Sequence, residues 1–225
     1  MSRTHIIVIS ESYVYLWHYR SQTSRLTMFE ASSQVSLRKI GREICWFIDD
    51  KPDLNNIYDK EQFDNTRECE DIICCVAAND NVLIVGRESG VLQRFTLPHI
   101  SEETKLFWKP LPAMIGINCD SSRLALVDIS GTLNILEINS QGGNVLEFEK
   151  KDCWSLKWSE DHPMQLVFME KSKLTILQNL TVDPQVPTDG YICSFRDLKV
   201  VYCYLDDMIK APDENLQYSD LFVDQ

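Results

Sequence analysis

A strand pattern that returns at 41-residue intervals predicts an all-β protein, a partial WD-type β-propeller of about four to five blades with three complete and a short C-terminal helix. Two further features support this class. Each recurrence lies a tight turn away from a second apolar run, and several of those runs are apolar at consecutive positions, as in a sheet covered on both faces.

The pattern follows a small turn residue four times: Ser12-x-Val14-x-Leu16-Trp17-His18, Gly90-x-Leu92-x-Arg94-Phe95-Thr96, Gly131-x-Leu133-x-Ile135-Leu136-Glu137 and Ser172-x-Leu174-x-Ile176-Leu177-Gln178. These anchors are 78, 41 and 41 residues apart. The runs Ile6–Ile9, Val82–Val85, Leu124–Val127 and Leu166–Met169 end just before them, so each pair reads as a β-hairpin. Gly86-Arg87-Glu88-Ser89-Gly90 and Asp128-Ile129-Ser130-Gly131 read as turns, because glycine takes positive φ without a Cβ clash.

Ile72–Ala78, Ala113–Asn118 and Cys153–Trp158 precede the hairpins, while Leu26–Glu30, Lys105–Lys109 and Val145–Glu149 follow them, giving four strands per period. Tyr191–Leu205 supplies strands of a last unit, and the chain enters its first unit partway through, as expected of a piece of a longer propeller. Trp154 and Trp158 are expected to pack between blades. The organisation predicted is a partial propeller over 1–205 with an acidic loop insertion at about 49–71, then a short helix start and acidic tail over 206–225. No Trp-Asp or Gly-His dipeptide occurs, so the prediction rests on spacing and apolar pattern.

The net charge is −12, and most of it is local. Residues 49–71 carry nine acids against Lys51, Lys60 and Arg67, and 206–225 carry six against Lys210. Both stretches read as solvated segments, with a docking surface for a basic partner as the other reading. Without a Lys/Arg stripe to neutralise phosphates, nucleic acid is not an expected partner. No apolar run approaches the roughly 20 residues of a membrane-spanning helix, and Ile6–Ile9 is too short for a signal-peptide core. A soluble chain in a reducing compartment is the expectation.

Eight cysteines (Cys45, Cys69, Cys74, Cys75, Cys119, Cys153, Cys193, Cys203) therefore read as free, mostly buried thiols. Cys74 and Cys75 are expected on opposite faces of one strand, no Cys-x-x-Cys occurs, and no metal site is predicted. The sequon at Asn179-Leu180-Thr181 carries no meaning in such a compartment. His5, His18, His99 and His162 stand apart from cysteine or acid partners in the chain. Gly86–Gly90 has the wrong order for a nucleophile elbow, and no phosphate loop, dinucleotide fingerprint or calcium loop occurs. No catalytic residue and no cofactor is assigned. A hydrolase using acids that converge at a propeller channel remains the enzymatic alternative.

Several strings carry a resemblance. Val82–Gly90 with Gln93-Arg94 and Leu97-Pro98, Asn118–Ala125, Asp128–Gly131, Tyr15–Arg20 and Gly190–Leu198 are similar to the second propeller of a propeller-bearing subunit family of intraflagellar transport complex A, with the likeness running from about residue 4 to 212. The resemblance implies a non-enzymatic scaffold. Members of that family resemble coat proteins, with two N-terminal propellers and a long helical-repeat tail, and act in retrograde intraciliary transport, ciliary entry of membrane proteins and cilium assembly. It implies as partners other complex A subunits and ciliary membrane cargo or its adaptors, without direct membrane insertion. The implied locations are cytoplasm, cilium, axoneme and basal body. The competing expectation is a propeller adaptor of a vesicle-coat or ubiquitin-ligase complex, because fold alone does not set function.

Overall fold

The computed structural model describes residues 4–19, 42–50, 67–98, 100–188, 190–204 and 209. Its described strands form five antiparallel sheets in chain order. Sheet A contains β1 (His5–Ile9), β2 (Tyr13–His18) and β3 (Arg42–Phe47). Sheet B contains β4 (Ile73–Ala78), β5 (Val82–Arg87), β6 (Val91–Thr96) and β7 (Ser101–Phe107). Sheet C follows with β8 (Pro112–Ile117), β9 (Arg123–Asp128), β10 (Leu133–Asn139) and β11 (Gly142–Lys150). Sheet D holds β12 (Cys153–Trp158), β13 (Gln165–Glu170), β14 (Lys173–Gln178) and a broken outer strand, β15 (Thr181–Val182) and β16 (Val186–Pro187), both paired to β14. Sheet E is the hairpin β17 (Tyr191–Arg196) and β18 (Lys199–Cys203).

Four apolar cores fill the spaces between consecutive sheets, and the alternation of side chains along a strand explains how one sheet serves two of them. On β5, Leu83 and Val85 enter the A–B core while Val82 and Ile84 enter B–C. On β9, Leu124 and Leu126 face B–C while Ala125 and Val127 face C–D. On β13, Leu166 and Phe168 face C–D while Val167 and Met169 face D–E. This accounts for the unbroken apolar runs, and the structure is the predicted partial propeller. Each fully buried Leu, Val, Ile or Phe contributes about 1.5–3 kcal/mol through apolar burial, so a blade draws most of its stability from its neighbours.

All four predicted hairpins form, pairing β1 with β2, β5 with β6, β9 with β10 and β13 with β14. Trp158 lies in the C–D core and Trp154 packs against the D–E core, both between blades as predicted. Three details differ from the sequence reading. Gly86 and Arg87 finish β5, so the turn is confined to Glu88–Gly90. The third strand of sheet A is Arg42–Phe47, which pairs with β2 throughout; the expected strand at Leu26–Glu30 lies outside the described residues. Twenty-three residues (19–41) separate β2 from β3, against four (97–100) between β6 and β7, so this connection lengthens the first interval together with the acidic insertion at about 49–71.

The third difference concerns Cys74 and Cys75, whose sulfurs are 3.8 Å apart instead of on opposite faces. The β4–β5 register slips between Ile73 and Cys75, and a bulge turns successive side chains toward one side. The same slip recurs in the first strand of every later sheet, at Pro112/Met114, Cys153/Ser155 and Ile192/Ser194. Bulged residues Cys74, Ala113, Trp154 and Cys193 thus occur once in the first strand of each of sheets B to E. Of the C-terminal helix expected after Leu205, only Ile209 is among the described residues, and it is helical.

Candidate functional site

The features with the greatest chemical content lie on the two rims. On one, Arg87 ends β5 with its side chain 4% exposed. A buried guanidinium must have its donors satisfied. Arg87 Nη2 donates to Asp49 Oδ1 at 2.8 Å and to Cys69 Sγ at 3.2 Å, Nη1 donates to Gln93 Oε1 at 3.1 Å, and Nε donates to the Asp71 carbonyl at 2.6 Å. The Asp71 carboxylate lies 3.5 Å from Nε and accepts from Ser89 N and Oγ, which fixes the following turn. Arg87 and Cys69 hydrogen-bond the Asp49 carboxylate and hold its pKa below the usual value, against the opposing effect of burial, which is the largest single influence.

Arg67 closes the same corner. Its two terminal nitrogens donate to both oxygens of Asp50 at 2.8 and 2.9 Å, and its guanidinium stacks 3.7 Å from the Phe47 ring centroid. The described ends of the 49–71 segment are therefore fastened to each other and to sheet B, with Asp49, Asp50 and Asp71 neutralised by the chain's own arginines. The acids from Asp53 to Asp64 lie outside the described residues.

The opposite rim is stitched from blade to blade by the turns between first and second strands. Thr4 Oγ1 donates to Asp80 from sheet A to sheet B. Asn79 Nδ2 donates to the Asn118 carbonyl and to Ser121 Oγ, linking B to C, and Asn118 Nδ2 donates to the Pro163 carbonyl, linking C to D. Asp197 N donates to Asp161, linking E back to D. Ser159 Oγ donates to the same Asp161 carboxylate, and these bonds hold its pKa down to about 2.

The histidines were separate in sequence, and the structure brings two of them together. His5 and His18 stack with ring centroids 4.2 Å apart, and His5 Nδ1 lies 2.7 Å from Thr4 Oγ1. The order acid–hydroxyl–imidazole is not that of a nucleophilic triad, in which the imidazole stands between acid and hydroxyl. Thr4 gives its proton to Asp80, so His5 Nδ1 must be the donor toward Thr4 and cannot act as its base. Burial, aided by His18 and opposed by Asp80, lowers the His5 pKa to about 4 and keeps the ring neutral. His99 lies outside the described residues. Among the described residues no group of three or more His, Cys, Asp or Glu is placed to hold a metal ion, and no helix is long and apolar enough to cross a membrane.

The sequence places Arg87 in a turn and Asn118 at the end of a strand run, and it assigns no role to Asn79. A basic residue following directly on the apolar run Val82–Val85 and Gly86 was the one signal for Arg87 in the sequence. What the described rims offer chemically is side chains hydrogen-bonded to one another and to neighbouring blades.

The comparisons agree with this architecture. KlHsv2 with loop 6CD replaced by a Gly-Ser linker superposes with a TM-score of 0.53 over 90% of this chain and 59% of that one, at 10% identity, a likeness of fold. WD repeat-containing protein 35 of Rattus norvegicus is 35% identical over 225 residues, covering 95% of this chain, and the proteins of that name from Mus musculus and Homo sapiens match to the same extent. The chain spans 19% of the length of these relatives. The family described as WDR35 second beta-propeller matches residues 1–223, and the chain belongs to that family.

Proposed function

We propose that the chain is a non-enzymatic propeller scaffold of intraflagellar transport complex A, serving retrograde intraciliary transport and cilium assembly. The observation that carries this reading is the 35% identity to WD repeat-containing protein 35 across 95% of the chain. Its partners are then other complex A subunits and ciliary membrane cargo or its adaptors, met in the cytoplasm, basal body, axoneme and cilium. Residues 1–205 act as one propeller unit from which an acidic insertion at about 49–71 projects, and 206–225 form a short helix start and acidic tail. Fastening of Asp49 and Asp71 to Arg87 supports this by holding both ends of the insertion on the rim of sheet B. The vesicle-coat or ubiquitin-ligase adaptor shares the fold, but no residue described above favours it.

Affinity purification of the tagged chain from ciliated cells tests the reading. Enrichment of complex A subunits and concentration of the tag at the basal body and cilium are expected. Stable association with only vesicle-coat or ubiquitin-ligase subunits, without ciliary signal, would overturn it in favour of the adaptor.

A further inference from the structure

Seven of the eight described thiols are buried or half-buried, and Cys193 alone is exposed. Its setting is unusual for a second reason. In the β17–β18 register Tyr191 faces Cys203, Ile192 faces Tyr202 and Ser194 faces Val201, leaving Cys193 as the extra, bulged residue. A bulge re-aims the side chain of the inserted position. Here it places Cys193 Sγ 3.5 Å from Cys203 Sγ, across the hairpin. Ile192, Phe195, Val200 and Tyr202 pack against sheet D, and this thiol pair is not part of that core.

We propose that Cys193 and Cys203 are a thiol pair that a small-molecule disulfide of the glutathione type oxidises to a cross-strand disulfide clasping β17 to β18. The Cys193 thiolate, having released its proton to solvent, attacks one sulfur of the oxidant; a mixed disulfide forms and one thiolate leaves. The Cys203 thiol then gives up its proton and attacks Cys193 Sγ, and the second small thiolate departs. Two protein thiols are oxidised, one small disulfide is reduced to two thiols, and both protons end on those leaving groups. Exposure gives Cys193 the first step, and the half-buried Cys203 resolves it. The turn at Asp197-Leu198 joins the strands at one end, and the new bond ties the other. The Cys74–Cys75 pair, at 3.8 Å, does not compete: adjacent residues would close an eight-membered ring that an extended strand cannot accommodate.

The test incubates the full chain with glutathione disulfide under native conditions and follows thiol titration, intact mass and peptide mapping. Two of the eight thiols should disappear, the mass should fall by two hydrogen atoms, and mapping should show Cys193 linked to Cys203. Cys203→Ser should stop at a glutathione adduct on Cys193, Cys193→Ser should leave Cys203 reduced, and a urea-unfolded control should lose this pair selectivity. Both serine variants are checked for wild-type circular dichroism. A wild-type chain that halts at the Cys193 adduct, stays fully reduced, or links either residue elsewhere would overturn the proposal.

Discussion

Sheets C and E are built from similar strands and differ in what covers them. In sheet C, all six residues of β9 are buried, because sheet B lies on one face and sheet D on the other. In sheet E, Phe195, Val200 and Tyr202 are buried against sheet D, while Tyr191 on the same hairpin is 49% exposed. Sheet A repeats the contrast at the other end of the arc. Val14 and Leu16 are buried toward sheet B, while Val8, which pairs with Tyr15 and so lies on the other face, is 55% exposed. Stability in this fold belongs to the spaces between sheets, and a sheet with one such space holds about half the apolar burial of one with two.

The largest expected effect that sharpens this contrast is Phe168→Ala. Phe168 is fully buried in the C–D core and meets Phe148 edge-on. Its truncation should lower unfolding stability by about 3–5 kcal/mol. Tyr191→Ala, which removes an edge contact with Trp154, should cost only about 0.5–1.5 kcal/mol. Urea midpoints of the two variants make the comparison, and equal losses would break it.

Gly90→Ala comes next. Gly90 has φ +89°, and an added Cβ would collide with the Trp108 carbonyl oxygen. A loss of about 2 kcal/mol or more should appear in the same urea titration. Gly131 shares the positive φ but has its nearest neighbour 3.4 Å from a built Cβ, so Gly131→Ala should lose only about 1 kcal/mol.

The end sheets should also respond to pH. His5, from sheet A, has a folded pKa near 4 against 6.5 for the free side chain. The unfolded chain therefore takes up a proton that the folded one refuses. The His5 contribution to stability is complete above pH 6.5 and is lost as pH falls from there through 4. His5→Gln should flatten the wild-type fall in urea midpoint between about pH 7.5 and about pH 5; an unchanged slope would remove His5 from the account.

The smallest expected effect is a gain. Asp197 and Leu198 form the two-residue turn of sheet E with φ of 50° and 59°, the requirement of a type I′ hairpin, and leucine resists that region. Leu198→Gly should stabilise the chain by about 0.5–1 kcal/mol, read as a raised melting temperature.

Apolar spacing made most of this architecture legible. The four hairpins and the inter-blade tryptophans followed from the 41-residue repeat, since period-two alternation and glycine turns are local signals. The bulges at Cys74, Ala113, Trp154 and Cys193 were not legible, because one extra residue reverses the face of everything beyond it while leaving composition unchanged. For β3 the reason is distance: 23 residues intervene where the repeat allows four, and an apolar stretch at Leu26–Glu30 lay nearer the expected spacing. The buried role of Arg87 is not legible because Asp49, Cys69 and Asp71, which bury its charge, are 16 to 38 positions away in the chain.

Hydrogen exchange of the native chain, resolved by strand, tests most directly whether stability resides between sheets. The slowest exchange should fall on β5, β9 and β13, which are buried on both faces, with protection declining toward β1 at one end and β18 at the other. Uniform protection across the five sheets, or a maximum in the β17–β18 hairpin, would contradict the account.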